Sequence, residues 1–328
     1  MVDHKKKLGK SALILNIQRL STEDGPGLRT TVFFKGCNLH CVWCHNPESI
    51  STAKQIEWRK VRCMGCGLCI LNCKNKALTL TKDGLSIDRK ACIACEACVR
   101  ACPTLALETK GIEWALDDLV YEVLKDRNYF EGNGGITASG GECLLQGKFL
   151  KNFFEKLQAE GIHTALDTAG LVSKEALDLI LPYTNLVLYD LKLFDLNLHK
   201  KYTGVGNTII LNNARHIAKY CNKDPETELW IRTPIIPGIT DSEDNIYYIG
   251  RFIAEYLHGA ESKWELLAFN NLCEDKYDRL DMDWKLRDKS LVAKEKMERL
   301  CEVAKSSGVR PEVVVWTGST KLEAEEKS

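Results

Sequence analysis

The sequence has no excess of charge of either sign: its 328 residues include 45 Lys and Arg and 45 Asp and Glu. A chain without a basic surplus gives no reason to expect sequence-independent binding to nucleic acid or to an anionic membrane surface. It also lacks an apolar run long enough to span a bilayer. We therefore expect a globular protein that binds neither nucleic acid nor membrane.

A secretory signal is lacking as well. The first ten residues include Lys5, Lys6 and Lys7, but no apolar core or small-residue cleavage site follows them. We expect a cytoplasmic protein with a solvated basic leader and a polar, acidic tail at Lys321–Ser328. Disulfides are rare in the cytoplasm, so clustered cysteines there indicate metal ligation or redox chemistry.

Cysteine, in contrast, is abundant. Eleven of the 15 cysteines fall into three tight groups: Cys37, Cys41 and Cys44; Cys63, Cys66, Cys69 and Cys73; and Cys92, Cys95, Cys98 and Cys102. Of the four scattered cysteines, Cys221 and Cys301 stand in helical patterns. We expect these two to be small buried hydrophobic residues.

Both four-cysteine runs have the spacing C-x2-C-x2-C-x3-C of bacterial ferredoxins, in which the fourth cysteine binds the neighbouring cluster. Two zinc sites are the alternative, although three ligands at successive two-residue gaps would crowd one tetrahedral ion. Only the second run is followed by proline, Pro103, whereas Lys74 follows the first. The predicted ligand sets of two [4Fe–4S] clusters are therefore crossed: Cys63, Cys66, Cys69 and Cys102 for one, and Cys73, Cys92, Cys95 and Cys98 for the other.

The remaining group, Cys37-Asn-Leu-His-Cys41-Val-Trp-Cys44, would leave one iron of a [4Fe–4S] cluster without a protein ligand. An open position on a metal is typical of a catalytic centre. That iron could chelate the amino and carboxylate groups of S-adenosylmethionine (SAM), and an electron could then cleave SAM to methionine and a 5′-deoxyadenosyl radical. The alternative is a surface zinc loop with His40 or His45 as fourth ligand.

Downstream, short apolar runs alternate with amphipathic helical patterns, which predicts parallel βα units. The predicted strands are 29–34, 135–139, 163–168, 185–192, 228–234, 264–269 and 312–316, and the predicted helices are 114–130, 148–160, 173–181, 209–219, 243–257 and 290–305. About six units are too few for an eight-fold barrel. We predict an α/β fold, a partial (β/α)6 TIM-like barrel with its chemistry at the C-terminal ends of the strands.

Residues 56–108 interrupt this alternation with eight cysteines and little periodicity. We predict that they form an inserted ferredoxin-like module with two [4Fe–4S] clusters. The barrel would then comprise residues 1–55 and 109–328.

The segment Ser21-Thr-Glu-Asp24-Gly25-Pro26-Gly27-Leu-Arg29-Thr30, followed by Cys37–Cys44, resembles the signature of the activating enzymes of glycyl-radical enzymes. The likeness is to the pyruvate formate-lyase activating enzyme family, in its ferredoxin-containing subgroup, and covers nearly the whole chain. Further matching motifs follow in order: Ser139-Gly140-Gly141-Glu142, Asp167-Thr168-Ala169-Gly170, Asp190-Leu191-Lys192 and Trp230-Ile231-Arg232.

The resemblance implies reductive cleavage of SAM and abstraction of hydrogen from a glycine Cα of a partner glycyl-radical enzyme. It also implies three [4Fe–4S] clusters, flavodoxin or ferredoxin as electron donor, and a monomer. It places a monovalent cation beside Asp167, Thr168 and Asp190, and the partner's glycine loop beside Asp24. It places SAM beside Trp43, Cys44, His45, Gly140, Gly141, Glu142, Asp190, Leu191, Lys192, Arg232 and Asn270.

Two of these motifs also have a local physical interpretation. Gly140 and Gly141 end a predicted strand, where missing side chains let backbone approach a ligand; a plain turn is the alternative. Asp190 and Lys192 alternate along a strand and so point to one face, where a buried ion pair is the alternative to a ligand site.

The sequence departs from the family pattern at two places. Cys143 stands where the family has proline, and Ala268-Phe269-Asn270-Asn271 replaces a motif whose histidine meets SAM. Asn270 can form hydrogen bonds but cannot titrate near neutrality. Two rival functions remain open: a radical SAM enzyme acting on a small molecule, and a multi-cluster electron carrier without a SAM site.

Overall fold

One nine-stranded sheet forms the centre of the computed structural model, which describes residues 9–320. The basic leader and the acidic tail predicted above lie outside these residues. The strands of the sheet are β1 Ser11–Ser21, β2 Arg29–Phe34, β7 Ile112–Ala115, β8 Gly135–Gly140, β9 His163–Thr168, β10 Leu186–Asp190, β11 Glu228–Ile235, β12 Glu261–Ala268 and β13 Val314–Thr317. In the sheet they follow the order β13-β12-β11-β10-β9-β8-β2-β1-β7.

Seven of these strands, β2 and β8 to β13, pair in parallel with one another. The short apolar runs of the sequence form these strands, because a parallel strand covered on both faces is apolar along its length. All of β8 except its last residue is buried, for example. The prediction of an α/β fold with a parallel sheet is confirmed, and the sheet is consistent with a partial barrel; each of the seven predicted strands has a counterpart, the predicted strand 312–316 being β13.

Helices return the chain between the parallel strands and cover the sheet. They are α3 Leu116–Leu124, α4 Gly147–Ala159, α5 Lys174–Ile180, α6 Leu196–Thr203, α7 Thr208–Cys221, α8 Glu243–Tyr256, α9 Glu274–Arg279 and α10 Lys294–Ser306. Side-chain caps begin three of them: Ser173 and Ser242 accept from backbone N–H groups of α5 and α8, and Asp195 does so for α6. Phe149, Phe153 and similar residues on the inner faces pack against the sheet to form the main core.

The sequence analysis missed two antiparallel strands at one edge of the sheet. β1 pairs with β2 on one side and with β7 on the other. β7 is only four residues long and partly exposed, so it lacks the apolar run that marked the other strands.

Residues 55–110 form a separate small core. Two antiparallel pairs build it: β3 (Gln55–Trp58) with β6 (Leu107–Lys110), and β4 (Leu78–Thr81) with β5 (Gly84–Ile87). Two four-residue helices complete it, α1 (Leu68–Leu71) and α2 (Ala97–Arg100). Its buried residues are Ile56, Leu78, Leu85, Ile87, Cys98 and Leu107. Within residues 9–320, no helix has both the length and the apolar character needed to cross a membrane.

Candidate active site

A cleft of about 430 Å³ opens at the C-terminal ends of the parallel strands. Its volume lies in the range of small-molecule sites, roughly 300–1,000 Å³. Of the residues predicted to bind a cluster, SAM or a cation, those lining the cleft are Cys37, Cys41, Trp43, Cys44, His45, Gly140, Gly141, Asp167, Thr168, Asp190, Lys192, Arg232 and Asn270. The tertiary structure thus brings together segments that lie up to 233 positions apart in the chain.

The loop Cys37–Cys44 follows β2 and is fixed by backbone hydrogen bonds to other elements. Cys37 N donates to Ile50 O (3.1 Å), His40 N to Thr203 O (2.8 Å) and Val42 N to Tyr202 O (3.0 Å). Tyr277 Oη, on α9, donates to Cys44 O (2.9 Å). Three thiols therefore face the cleft from a loop held at both ends.

Burial raises the pKa of each of these thiols, that of Cys41 to about 11. All three are protonated at neutral pH in the protein alone. Binding to iron would therefore release protons, as is general for thiolate ligands.

Gly140 and Gly141 lie at the end of β8, and the structure gives a reason for both glycines that differs from the predicted one. A Cβ at Gly140 would stand 2.3 Å from Phe34 O, and φ is +115° there. A Cβ at Gly141 would stand 2.1 Å from Gly36 O and 3.0 Å from Cys37 Cβ. Both residues must be glycine because β2 and the start of the cluster loop pack directly against them.

Glu142 is buried behind the cleft surface, and the structure does not place it among the lining residues. Its carboxylate accepts from Thr168 Oγ1 (2.8 and 2.9 Å), Ala169 N (3.2 Å) and Leu144 N (3.3 Å). Burial raises the pKa of Glu142 to about 7. Glu142 thus ties the end of β8 to the end of β9, and its predicted contact with SAM stays a prediction.

Two ion pairs line one wall of the cleft. Lys192 Nζ contacts Asp190 Oδ2, and Arg232 Nη1 lies 3.5 Å from Asp167 Oδ1. The two ion pairs lie next to each other because Asp190 of one and Arg232 of the other are paired in the register of β10 and β11. The ion pair considered above as an alternative for Asp190 and Lys192 exists, and both side chains nevertheless line the cleft.

The predicted cation ligands are all occupied by protein contacts. Thr168 Oγ1 donates to Glu142 and accepts from Gly170 N (2.9 Å), while Asp167 accepts from Ser139 Oγ. Burial raises the pKa of Asp167 to about 6. A cation at Asp167, Thr168 and Asp190 therefore stays a prediction.

Aromatic and amide side chains also line the cleft. Trp43 is buried, and His45 lies edge-on to Phe269, with 6.5 Å between the ring centroids. Asn270 follows β12, and its Oδ1 accepts from Leu272 N (3.2 Å). Within residues 9–320 the Asn270 side-chain nitrogen donates no hydrogen bond to the protein, and the residue lines the cleft. Leu191 does not line the cleft; its N–H donates to Arg232 O (2.9 Å) and its side chain is buried.

Asp24 and its neighbour Glu23 differ in environment. Asp24 Oδ2 accepts from Ser21 Oγ and from Thr31 Oγ1, both at 2.6 Å. Glu23 is exposed and lines the cleft. The role of Asp24 toward a partner stays a prediction, and Glu23 is a cleft residue that the sequence analysis missed.

The sequence analysis missed two further residues, of which Ser139 could have been found from its motif, whereas Glu265 stands in none. Ser139 precedes Gly140 in a quoted motif and contacts Asp167. Glu265 lies across from Arg232 in the register of β11 and β12, with 4.0 Å between Arg232 Nε and Glu265 Oε2. Because side chains alternate along a strand, Ser139 points to the same face of the sheet as Asp167, and Glu265 points to the same face as Arg232.

The scattered cysteines are all buried. Cys221 and Cys301 lie on α7 and α10, so the prediction that they are small buried hydrophobic residues is confirmed. Cys143 donates to Ala138 O (3.7 Å) and Asp167 O (3.6 Å), which joins the ends of β8 and β9 without facing the cleft.

Two further pockets lie in residues 55–110, and each is lined by four cysteines. One is lined by Cys63, Cys66, Cys69 and Cys102, and the other by Cys73, Cys92, Cys95 and Cys98. Within the described residues, no three His, Cys, Asp or Glu side chains are arranged to hold a single metal ion. The four cysteines of each pocket surround a space and do not converge on one position, as the ligands of a single ion would.

The sequence and fold were compared with known proteins. Residues 31–247 match the Radical SAM superfamily. The chain is 35% identical over 304 residues to the trans-4-hydroxy-L-proline dehydratase activating enzyme of Clostridioides difficile, covering 92% of this chain and 98% of that protein. It is 38% identical over 282 residues to the (2S)-3-sulfopropanediol dehydratase activating enzyme of Klebsiella oxytoca, covering 84% and 87%.

A radical SAM methyltransferase of Sphaerobacter thermophilus shares the fold. It has a TM-score of 0.52 and 13% sequence identity, with 96% of this chain and 75% of that chain covered. At this identity the likeness concerns the fold alone.

Proposed function

Because the chain belongs to the radical SAM superfamily, among the activating enzymes of glycyl-radical enzymes, we propose specific roles for its three cysteine groups and for its cleft. The protein cleaves SAM reductively and abstracts hydrogen from a glycine Cα of a partner glycyl-radical enzyme. The predicted family, enzyme class and main function are thereby confirmed. The cluster count, the residue roles, the electron donor, the monomeric state and the cytoplasmic location remain proposals.

One observation carries the assignment of the cleft. Cys37, Cys41 and Cys44 line the same cleft as Asp190, Lys192 and the other strand-end residues. Three cysteine ligands suit a [4Fe–4S] cluster with one open iron, and the cleft beside them has the volume of a small-molecule site. When bound, the cluster and SAM supply the electron-transfer and radical chemistry of the reaction.

The residues around the cleft would bind and orient SAM. Lys192 and Arg232 bring positive charge to one wall and suit the SAM carboxylate, while Asp167 and Asp190 keep that wall near neutrality. Asn270 offers an amide donor. Trp43 and Phe269 add apolar surface to the cleft, which would exclude water from the reacting atoms.

We propose a [4Fe–4S] cluster in each of the other two cysteine-lined pockets. The donor sets support this, because each pocket collects four thiols, three from one run and one from the other. This is the crossed pattern of two-cluster ferredoxins. Residues 56–108 would then be a two-cluster insert in a barrel formed by residues 1–55 and 109–328, and their separate core supports that division.

The test of the cluster assignment is a metal count with a matched variant. The anaerobically reconstituted protein should hold about twelve irons, as three four-iron clusters require. Replacing Cys37, Cys41 and Cys44 by alanine should remove about four irons and every SAM-induced change in the EPR spectrum, with two clusters retained. Stoichiometric zinc without sulfide would contradict the assignment.

The test of the activity uses a partner glycyl-radical enzyme. With dithionite, SAM and the cognate partner, the protein should generate a carbon-centred doublet radical on that partner. Consumption of a small molecule with SAM, and no radical on any partner, would favour the small-molecule rival instead. Absence of SAM binding would favour the electron carrier.

A further inference from the structure

Helix α9, Glu274–Arg279, contacts both the loop Cys37–Cys44 and the cysteine-rich segment of residues 55–110. The helix has only six residues, and an isolated helix shorter than about 12 residues is marginal in water. Contacts with other elements must therefore set its position. These contacts connect the cysteine-rich segment to the cleft.

Two side chains of α9 bond to the backbone at the end of the cluster loop. Tyr277 Oη donates to Cys44 O (2.9 Å). Lys276 Nζ donates to His45 O (3.0 Å) and to Asn46 Oδ1 (2.8 Å). Tyr277 is buried, and a buried hydroxyl is costly to leave without its hydrogen bond. The position of α9 therefore fixes the backbone of one of the three cysteines in the cleft.

An aromatic stack gives α9 a second connection to the cleft. The Tyr277 ring stacks on Trp284, with 5.6 Å between the centroids, and Trp284 lies 6.1 Å from Phe269. All three rings are buried, and Phe269 lines the cleft. Because buried side chains are closely packed, a displacement of α9 would also move the apolar surface of the cleft.

Arg89 holds α9 from the side of the cysteine-rich segment. Its guanidinium donates to Ile56 O within that segment and to Arg279 O (3.4 Å), at the last residue of α9. It also lies 3.6 Å from Asp281 Oδ2. Glu57, which is buried, lies 3.9 Å from Arg279 Nη1. Ile56 lines one of the two four-cysteine pockets, so these contacts join α9 to the wall of that pocket.

We propose that α9 is a positioning element of the SAM site. Arg89 fixes α9 against residues 55–110, and Tyr277 and Lys276 in turn fix Cys44 and its neighbours for SAM binding. This rests on the proposed cluster and SAM site in the cleft. Arg89, Lys276 and Tyr277 do not themselves line the cleft, so they act through the loop and not as SAM ligands. The cysteine-rich segment then shapes the SAM site whether or not it carries electrons.

The test is the SAM affinity of the oxidised holoenzyme, measured by calorimetry, because no electron moves in that state. Tyr277→Phe keeps the buried ring and removes only the O–H donor, whereas Arg89→Gln removes the contact with α9. Each should weaken SAM binding about threefold to tenfold, the usual effect of one hydrogen bond. Arg62→Gln is the matched control, since Arg62 pairs with Glu108 of the same segment (3.0 Å) and should leave the affinity unchanged.

The double variant distinguishes one route from two independent effects. If Arg89 acts through α9, Arg89→Gln combined with Tyr277→Phe should weaken SAM binding by less than the product of the two single effects. Amide hydrogen exchange of the metal-free full chain is a readout that needs no cluster. Both single variants should speed exchange in residues 41–46 about threefold or more relative to Arg62→Gln.

Three results would decide against these assignments. Wild-type SAM affinity and wild-type exchange of residues 41–46 in Tyr277→Phe would overturn the positioning role of α9. Effects that multiply fully in the double variant would overturn the route from Arg89. A wild-type holoenzyme that binds no SAM would instead refute the proposed function.

Discussion

Replacing Gly141 by alanine should disable the catalytic cluster without unfolding the protein. The added Cβ would stand 2.1 Å from Gly36 O and 2.7 Å from the Gly36 carbonyl carbon, whereas ordinary contact begins at about 3.4 Å. The obstacle is backbone, which cannot rotate away as a flexible side chain can. The loop that begins with Cys37 must therefore move by about 1 Å relative to the end of β8.

A displacement of about 1 Å at a reacting centre can cost roughly 100-fold in rate. We expect Gly141→Ala to lose SAM cleavage by about that factor, with the two clusters proposed for residues 56–108, about eight irons, retained. Gly147→Ala is the matched control, because no atom lies within 4 Å of a Cβ built there. Iron content, the EPR spectrum with SAM and the rate of 5′-deoxyadenosine formation are the measurements. A Gly141→Ala protein that cleaves SAM at the Gly147→Ala rate would refute the close-packing argument.

Three further predictions concern Asn270, Asp24 and His163. Asn270→Ala should weaken SAM binding, because it removes an amide donor from the cleft; unchanged SAM affinity in titrations of the variant would contradict this. Asp24→Ala should lower the glycyl radical formed per 5′-deoxyadenosine released, with Glu23→Gln tested in parallel; if radical yield and SAM cleavage fall together, Asp24 only supports the fold. Burial and the neighbouring Arg29 lower the pKa of His163 to about 4, so the unfolded chain binds more protons than the folded one between about pH 4 and 6.5. Folding stability should therefore decline as pH falls through that window, and it should decline less in His163→Gln. If the unfolding temperatures of the variant and the unchanged protein fall equally with pH, His163 is not the cause.

The local sequence determined much of the cluster chemistry. Spacing along one run decides which thiols can reach one cluster, so the crossed cysteine sets could be predicted before any fold was known. The same holds for the parallel strands, because a strand buried on both faces must be apolar along its length. Both predictions start from the spacing of residues within short segments, although the fourth cysteine of each set comes from the other run.

Only the tertiary structure decided which predicted residues face the cleft. Glu142 stands in a motif associated with SAM, yet its carboxylate turns inward to Thr168 because that hydroxyl and two N–H groups satisfy it there. The need for glycine at position 141 arises from Gly36, more than 100 positions earlier in the chain. Glu23 lines the cleft because pairings between distant segments, such as that of β2 with β8, set its position, and no local pattern records them.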